Sequence, residues 1–316
     1  MKKEEKIKLL YLIAKEYYIN NKKQKEIAKQ FDINRVQVSR YISEAKDRGM
    51  IDINIINPLK ENNHSIKKKL NEFFSDVNII IAVTHSDDNE TIIKSLTDQA
   101  NEYINSSFLP TDTVGFGWGN TMFNLAKNLT TNRNYPNLRV VPLVGGSMEF
   151  NKEFQANNIT FMIADKFKGK NMPILAPFYI EDQDYSTIKE NYDVKKVLSI
   201  WEELDKAVVG IGCNFSITPL MDIDLFETKD LTKLLNFRQV GDILTHYFNI
   251  EGEFCNLDIY DNLINLPIEM LKDVNEVIAV AGGTEKAESI IGALRTGMVD
   301  TIIMDNLVAN KIIEIL

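Results

Sequence analysis

Residues 113–121 read TVGFGWGNT. A short run rich in apolar residues passes into three closely spaced glycines and then into an amphipathic stretch, the pattern of a strand that turns directly into a helix. Six further runs share its character: VNIIIAV (77–83), LRVVPLV (138–144), MPILAPF (172–178), AVVGIG (207–212), VIAVAG (277–282) and TIIMD (301–305). They are apolar almost throughout rather than alternating, as strands are when both faces are covered. The stretches 89–107, 119–130, 154–168, 186–204, 285–297 and 306–316 have the length of crossover helices. The expected fold is therefore a doubly wound, mostly parallel α/β domain over 76–316.

In such sheets ligands bind outside the carboxyl ends of the strands, and four glycine turns are expected there. In the first, Gly117 and Gly119 let the backbone approach a ligand. Free N–H groups at Gly119, Asn120 and Thr121, with the Thr121 hydroxyl, suit an anion at a helix start. The alternative is a tight strand-to-helix turn and nothing more. The second turn carries Gly145 and Gly146, the third Gly210 and Gly212. The fourth has Gly282 and Gly283, followed by Lys286 in the first turn of a helix. There a cation opposes the helix dipole unless it faces an anionic ligand or simply reaches solvent. The spacing G-x-G-x-G, with no carboxylate about twenty residues on, is not the dinucleotide fingerprint, so no NAD site is expected. No other cofactor is expected either. Cys213 and Cys255 form neither a disulfide framework nor a metal cluster, and His64, His85 and His246 lie far apart, so no metal site is expected.

The amino-terminal segment differs. QKEIAKQFDINRVQVSRY (24–41) places Ile27, Ala28 and Phe31 on one helical face and Val38 and Tyr41 on a second, with Ile33 between. The polar remainder of the second helix, Asn34, Arg35, Gln37, Ser39 and Arg40, comprises side chains that reach base edges and phosphates. The reading is a helix-turn-helix, the alternative an ordinary helical hairpin. Residues 3–19 form an amphipathic helix behind it. The second helix runs on to Arg48 with Gly49 as its stop. Ile51–Ile55 alternates as one strand of a small wing, ended by Pro58. Residues 59–75 read as a linker leading into a helix.

Charge supports this division. The net charge is −9, yet residues 1–60 hold 14 Lys/Arg against 8 Asp/Glu, a local +6 that leaves −15 on the rest. That asymmetry suits a basic head for double-stranded DNA on an acidic body. The start of the chain is charged and periodic, unlike a signal peptide. No apolar run is long enough to span a bilayer, so a cytoplasmic location without membrane contact is expected.

The helix-turn-helix, VGFGWGNT, VPLVGGS, AVVGIG, VGDI (240–243) and AGGTEKAESIIGALRTGMVDTIIMD together resemble bacterial transcriptional regulators of the SorC type, grouped with central glycolytic gene and deoxyribonucleoside regulators. The resemblance covers essentially the whole chain. It implies a winged helix-turn-helix over 1–58 and an effector domain similar to glucosamine-6-phosphate deaminase and ribose-5-phosphate isomerase. It also implies a small sugar or sugar phosphate as effector and assembly as a dimer or tetramer. Carried across by residue, the phosphate turn falls on Gly119, Asn120 and Thr121, and further ligand contacts fall on Gln155, Asp242 and Lys286. Two departures matter. Val144 stands before the glycine pair, and Cys213 stands after Gly212, where some members carry a basic residue; both argue against a bisphosphate and for a singly phosphorylated or even neutral ligand.

An isomerase or deaminase needs a carboxylate base beside the sugar carbon, usually within an acidic run. Asp242 stands alone. The expectation is a ligand-gated regulator and no enzyme; the alternative is a sugar-phosphate isomerase or deaminase with an accessory DNA-binding head.

Overall fold

The computed structural model describes residues 3–47, 50–51, 60–147, 151–214 and 226–316. It divides into two compact units, Met1–Pro58 and Leu59–Leu316.

The smaller unit contains three helices, α1 (Lys3–Tyr18), α2 (Gln24–Gln30) and α3 (Arg35–Asp47). Ile13, Ile27, Val38 and Ile42 form its buried centre, with Ala28, Phe31, Ile33 and Tyr41 packed around them. Leu10, Ala14 and Ala45 join α1 to α3. Asp32 takes a left-handed conformation (φ 51°), and Ile33 N–H closes the turn on Ala28 O (3.0 Å). Arg48, Gly49, the expected wing strand beyond Ile51 and Pro58 lie outside the described residues.

In the larger unit seven strands form one sheet. They are β1 (Asn78–Ala82), β2 (Thr113–Phe116), β3 (Arg139–Pro142), β4 (Lys170–Asn171), β5 (Lys206–Gly210), β8 (Glu276–Val280) and β9 (Thr301–Asp305); β6 (Gln239–Ile243) and β7 (His246–Asn249) pair separately as a hairpin. The order is β1-β9-β8-β5-β2-β3-β4 and every pairing in it is parallel. The period-2 geometry of strands sends neighbours to opposite faces. Val141, Ala207, Val209, Val277, Ala279, Ile302 and Met304 enter one core, whereas Val140, Val208, Ile278, Val280 and Ile303 enter the other. Helices α5 (Asn89–Ser107), α6 (Asn120–Asn128) and α7 (Ala156–Phe167) cover the second core. Helices α9 (Tyr192–Trp201), α11 (Ala287–Arg295) and α12 (Asn306–Ile315) cover the first.

Three expectations are corrected. MPILAPF is not a strand: β4 is the two residues before it, and Pro173 and Pro177 lack the N–H a ladder needs, so among the described residues the segment makes one isolated bridge, Pro177 to Gly146. The helix expected over 186–204 is two, α8 (Asp182–Lys189) and α9, because the Asn191 side chain caps a new start by accepting from Asp193 N–H and Val194 N–H. The segment read as a linker leading into a helix is helical almost from its start, α4 (Lys60–Asn71), and buries Ile66, Leu70 and Phe74 in the first core. Burying each of those side chains is worth about 1.5–3 kcal/mol, which outweighs its lysine-rich composition.

Strands β2, β3 and β4 step outward to one edge; the chain then returns to β5 beside β2, and β8 and β9 step the other way. The direction of winding reverses between β2 and β5. In open α/β sheets the helices on either side of such a reversal leave on opposite faces, and ligands bind there at the carboxyl ends of the strands.

Candidate functional site

Gly117 leaves β2 at this reversal, its N–H still paired with Val208 O of β5 (2.9 Å). Gly119 follows with φ 102°, a conformation open to glycine, and caps α6. Its N–H is not free as expected, since it donates to Phe154 O (2.9 Å). The N–H groups of Asn120 and Thr121, in the first turn of α6, have no acceptor among the described residues. Phe154 in turn delivers Gln155, which begins α7 and donates from Nε2 to Ser147 O (2.7 Å).

At β3 the glycine pair behaves differently. Gly145 N–H donates to Ile264 O (2.7 Å) and Gly146 N–H to Ala176 O (3.0 Å), so neither amide is available to a ligand. A Cβ on Gly145 would stand 2.6 Å from Pro177 O; what approaches closely here is the chain itself.

Three distant segments converge beyond β5. Gly212 N–H donates to Asp242 O (2.9 Å), and a Cβ on Gly212 would stand 1.8 Å from Asp242 Oδ1, so only glycine admits that carboxylate. Lys286, half-buried in the turn Thr284–Lys286 ahead of α11, donates from Nζ to Ile211 O (2.7 Å). Among the described residues it forms no ion pair. Its ammonium lies close enough to favour the ionised forms of both Asp242 and Cys213. Burial nevertheless pushes Asp242 up to about 6, against the pull of the Thr245 N–H and of Lys286. Gly282 and Gly283 stand at the end of β8; Gly283 N–H donates to the buried Asp305 (2.8 Å), which also caps α12 through Leu307 N–H and Val308 N–H.

The sequence gives little sign of the hairpin that carries Asp242. Its two-residue turn, Leu244–Thr245, has φ of 50° and 67°, the left-handed pair that asparagine and glycine usually supply. The surroundings hold it. Asp242 Oδ2 accepts from Thr245 N–H (2.9 Å), and Asn265 Nδ2 donates to Leu244 O (3.1 Å) and Thr245 Oγ1 (3.2 Å). Leu244 comes within van der Waals reach of Gly117. The hairpin thus joins the β2 exit to Lys286. His246, next in the chain, is buried beside Asn265 and the Tyr260 ring, and desolvation lowers it to about 4.

Neighbouring strands are ~4.8 Å apart, so the exits of β8, β5 and β2 fall within roughly 10 Å, a span one small ligand can bridge. The fold thereby groups Gly117, Gly119, Asn120, Thr121, Asp242 and Lys286 around the reversal. Gly145, Gly146 and Gln155 lie to the β3 side and Gly282 and Gly283 to the β8 side. A phosphate-sized anion suits the two open amides of α6, and sugar hydroxyls suit the carboxylate of Asp242.

On the smaller unit, Asn34, Arg35, Ser39 and Arg40 are exposed and Gln37 is half-buried. Asn34 N–H donates to Gln37 Oε1 (3.1 Å) and Gln37 N–H to Asn34 Oδ1 (2.8 Å), a reciprocal cap that starts α3. The oxygens of both side chains are therefore turned back on the helix. The Arg40 guanidinium lies 5.9 Å from the Tyr41 ring centroid. No helix among the described residues is long and apolar enough to cross a membrane.

Known proteins align along nearly the full length. The chain is 25% identical over 311 residues to the deoxyribonucleoside regulator of Bacillus subtilis, covering 98% of each. It is 24% identical to the sorbitol operon regulator of Klebsiella pneumoniae, covering 99% of this chain and 100% of that one. The crystal structure of that full-length regulator, SorC, superposes with a TM-score of 0.79 at 22% identity, covering 97% of this chain and 98% of that one. A DeoR family transcriptional regulator from Listeria monocytogenes superposes at 0.71 with 26% identity, covering 78% and 98%. The family model described as "Putative sugar-binding domain" matches residues 60–314, and with that span the chain belongs to the Sugar-bind family.

Proposed function

We propose that the chain is a transcriptional regulator whose hold on double-stranded DNA is set by a small, singly phosphorylated sugar. The observation that carries this reading is the convergence at the β2/β5 reversal: a half-buried ammonium held by a carbonyl, a buried carboxylate beside it, and amides at the start of α6 that have no acceptor among the described residues. The names of the relatives, a deoxyribonucleoside regulator and a sorbitol operon regulator, support the same class of effector.

In this reading the α6 amides and Thr121 hold the phosphate, Lys286 adds charge, and Asp242 and Gln155 accept or donate to hydroxyls. Residues 1–58 act as a winged helix-turn-helix in which α2 and α3 are the reading pair. Arg35 and Arg40 meet phosphates or bases, and Ser39 meets the backbone. Residues 59–316 serve as effector and oligomerisation domain on a scaffold of the sugar-phosphate isomerase and deaminase type, binding without converting. The effector shifts the assembly between two arrangements by its difference in affinity for them, and a dimer or tetramer sets the spacing of the heads.

A thermal-shift screen with pentose, hexose and hexitol phosphates, beside their unphosphorylated forms, tests this. A ligand that binds only the folded state raises the melting temperature by mass action. We expect at least one monophosphate to do so, to alter DNA retention in a gel shift, and to be recovered unchanged. No stabilisation by any of the panel removes the site assignment, and turnover of the stabilising ligand establishes the enzyme instead.

A further inference from the structure

Val36 stands on the first turn of α3 with 78% of its surface exposed, more than any other large hydrophobic side chain among the described residues. A β-branched residue gains nothing for an exposed helix position. Its neighbours on that face are Ser39, Arg40 and Ser43, at i+3, i+4 and i+7, all exposed. The opposite face carries the buried Val38, Ile42 and Ala45. Glu44 is turned away, paired with Lys6 of α1 (2.7 Å). The Val36 face thus combines one apolar side chain with Arg40, hydroxyls and, from the preceding position, Arg35.

The reciprocal cap narrows what this turn can read. With the side-chain oxygens of Asn34 and Gln37 committed to each other's amides, the side chains whose full reach is open at the start of the helix are Arg35 and Val36. An arginine there contacts phosphate or guanine. The one feature of the major groove that a valine recognises is the C5-methyl group of thymine.

We propose that Val36 is a specificity-determining residue that packs against a thymine methyl in each half-site, seated there by Arg35 and Arg40 on the flanking groups. The proposal rests on the DNA-binding reading above. It adds a preference that the charged and hydrogen-bonding residues of α3 do not supply.

The test uses the full-length protein and a random-sequence duplex library to select a binding motif. Each thymine of the selected duplex is then replaced in turn by uracil, which lacks only the methyl. Wild type should lose about fourfold in affinity at one thymine per half-site, the factor set by ~0.8 kcal/mol for one buried methyl-sized group. Val36→Ala should bind the thymine and uracil duplexes alike while keeping the rest of the motif. Alanine is the better helix former, and a thermal melt checks that the variant is folded. Indifference of wild type to every such replacement overturns the proposal, as does a Val36→Ala protein that still discriminates. Should wild type select no motif at all, the DNA-binding reading itself fails, which is a different result from a motif that is blind to methyl groups.

Discussion

The exits of β2 and β3 are neighbours in the sheet and look alike in sequence, glycines followed by a small polar residue. They use those glycines in opposite ways. At Gly145–Gly146 both amides are paired with backbone carbonyls, and the space a Cβ on Gly145 needs is filled by Ala176 and Pro177. At Gly119 no atom of the described residues lies within 4 Å of the corresponding space, and the next two amides have no acceptor among those residues. A glycine turn announces that something approaches the backbone closely. Whether the visitor is the chain or a ligand depends on segments far away in sequence.

The comparison breaks most easily at β3. Gly145→Ala should destabilise the larger unit by about 2–4 kcal/mol, since the added methyl meets backbone on Pro177 that has no rotamer to yield. Gly146→Ala meets Gln155 Oε1 at 3.5 Å and Ala176 O at 3.9 Å, both ordinary contacts, and should cost less than about 1 kcal/mol. Paired urea melts measure both, and equal costs would show that the β3 turn is not held by the close contact described.

The reversal side is sharpened by pH. Asp242 is raised from 3.8 to about 6, so the folded state binds its proton more tightly than the unfolded chain. Its burial therefore lowers stability as pH rises between about 4 and 6, and the full cost is present above that window. His246 is lowered from 6.5 to about 4, so its contribution is lost as pH falls through the same range. The two slopes oppose each other. Asp242→Asn should raise stability at pH 7.5 by about 3 kcal/mol, an order-of-magnitude figure from the size of the shift, and leave it unchanged near pH 4. The variant should consequently lose stability more steeply than wild type on acidification from 6.5 to 4 in a thermal melt series. Identical slopes in the two proteins would mean that the carboxylate is not held in the environment described.

Lys286→Met removes one hydrogen bond to Ile211 O and no ion pair among the described residues, and should cost about 1 kcal/mol in stability. Its effect on binding should be far larger. The stabilisation by whichever sugar phosphate the screen selects should fall at least tenfold in ligand concentration, with DNA affinity unaltered in the absence of ligand. A full response from the methionine variant would take Lys286 out of the site.

Much of the architecture was legible because parallel strands are apolar on both faces. TIIMD became β9 residue for residue, and 89–107 became α5 without a shift at either end. The misses have physical causes as well. Prolines removed the ladder donors from MPILAPF, one asparagine split the 186–204 helix, and the apolar stripe of α4 hid within a lysine-rich segment. The candidate site was legible only in pieces. Glycine turns and Lys286 were visible, Gln155 and Asp242 came from the family resemblance, and the Leu244–Thr245 turn with its Asn265 support carried no local signal.

The sequence by itself determined the alternation of apolar runs and amphipathic stretches, the basic head on an acidic body, and the capped start of α3, because these depend on neighbours within a few residues. Only the tertiary structure decided which glycines stand at the reversal, that Gly212 makes room for Asp242, and that Lys286 reaches the exit of β5. Those outcomes rest on the order in which strands are laid into the sheet and on contacts across tens to hundreds of residues, where burial and close packing override what any short stretch prefers.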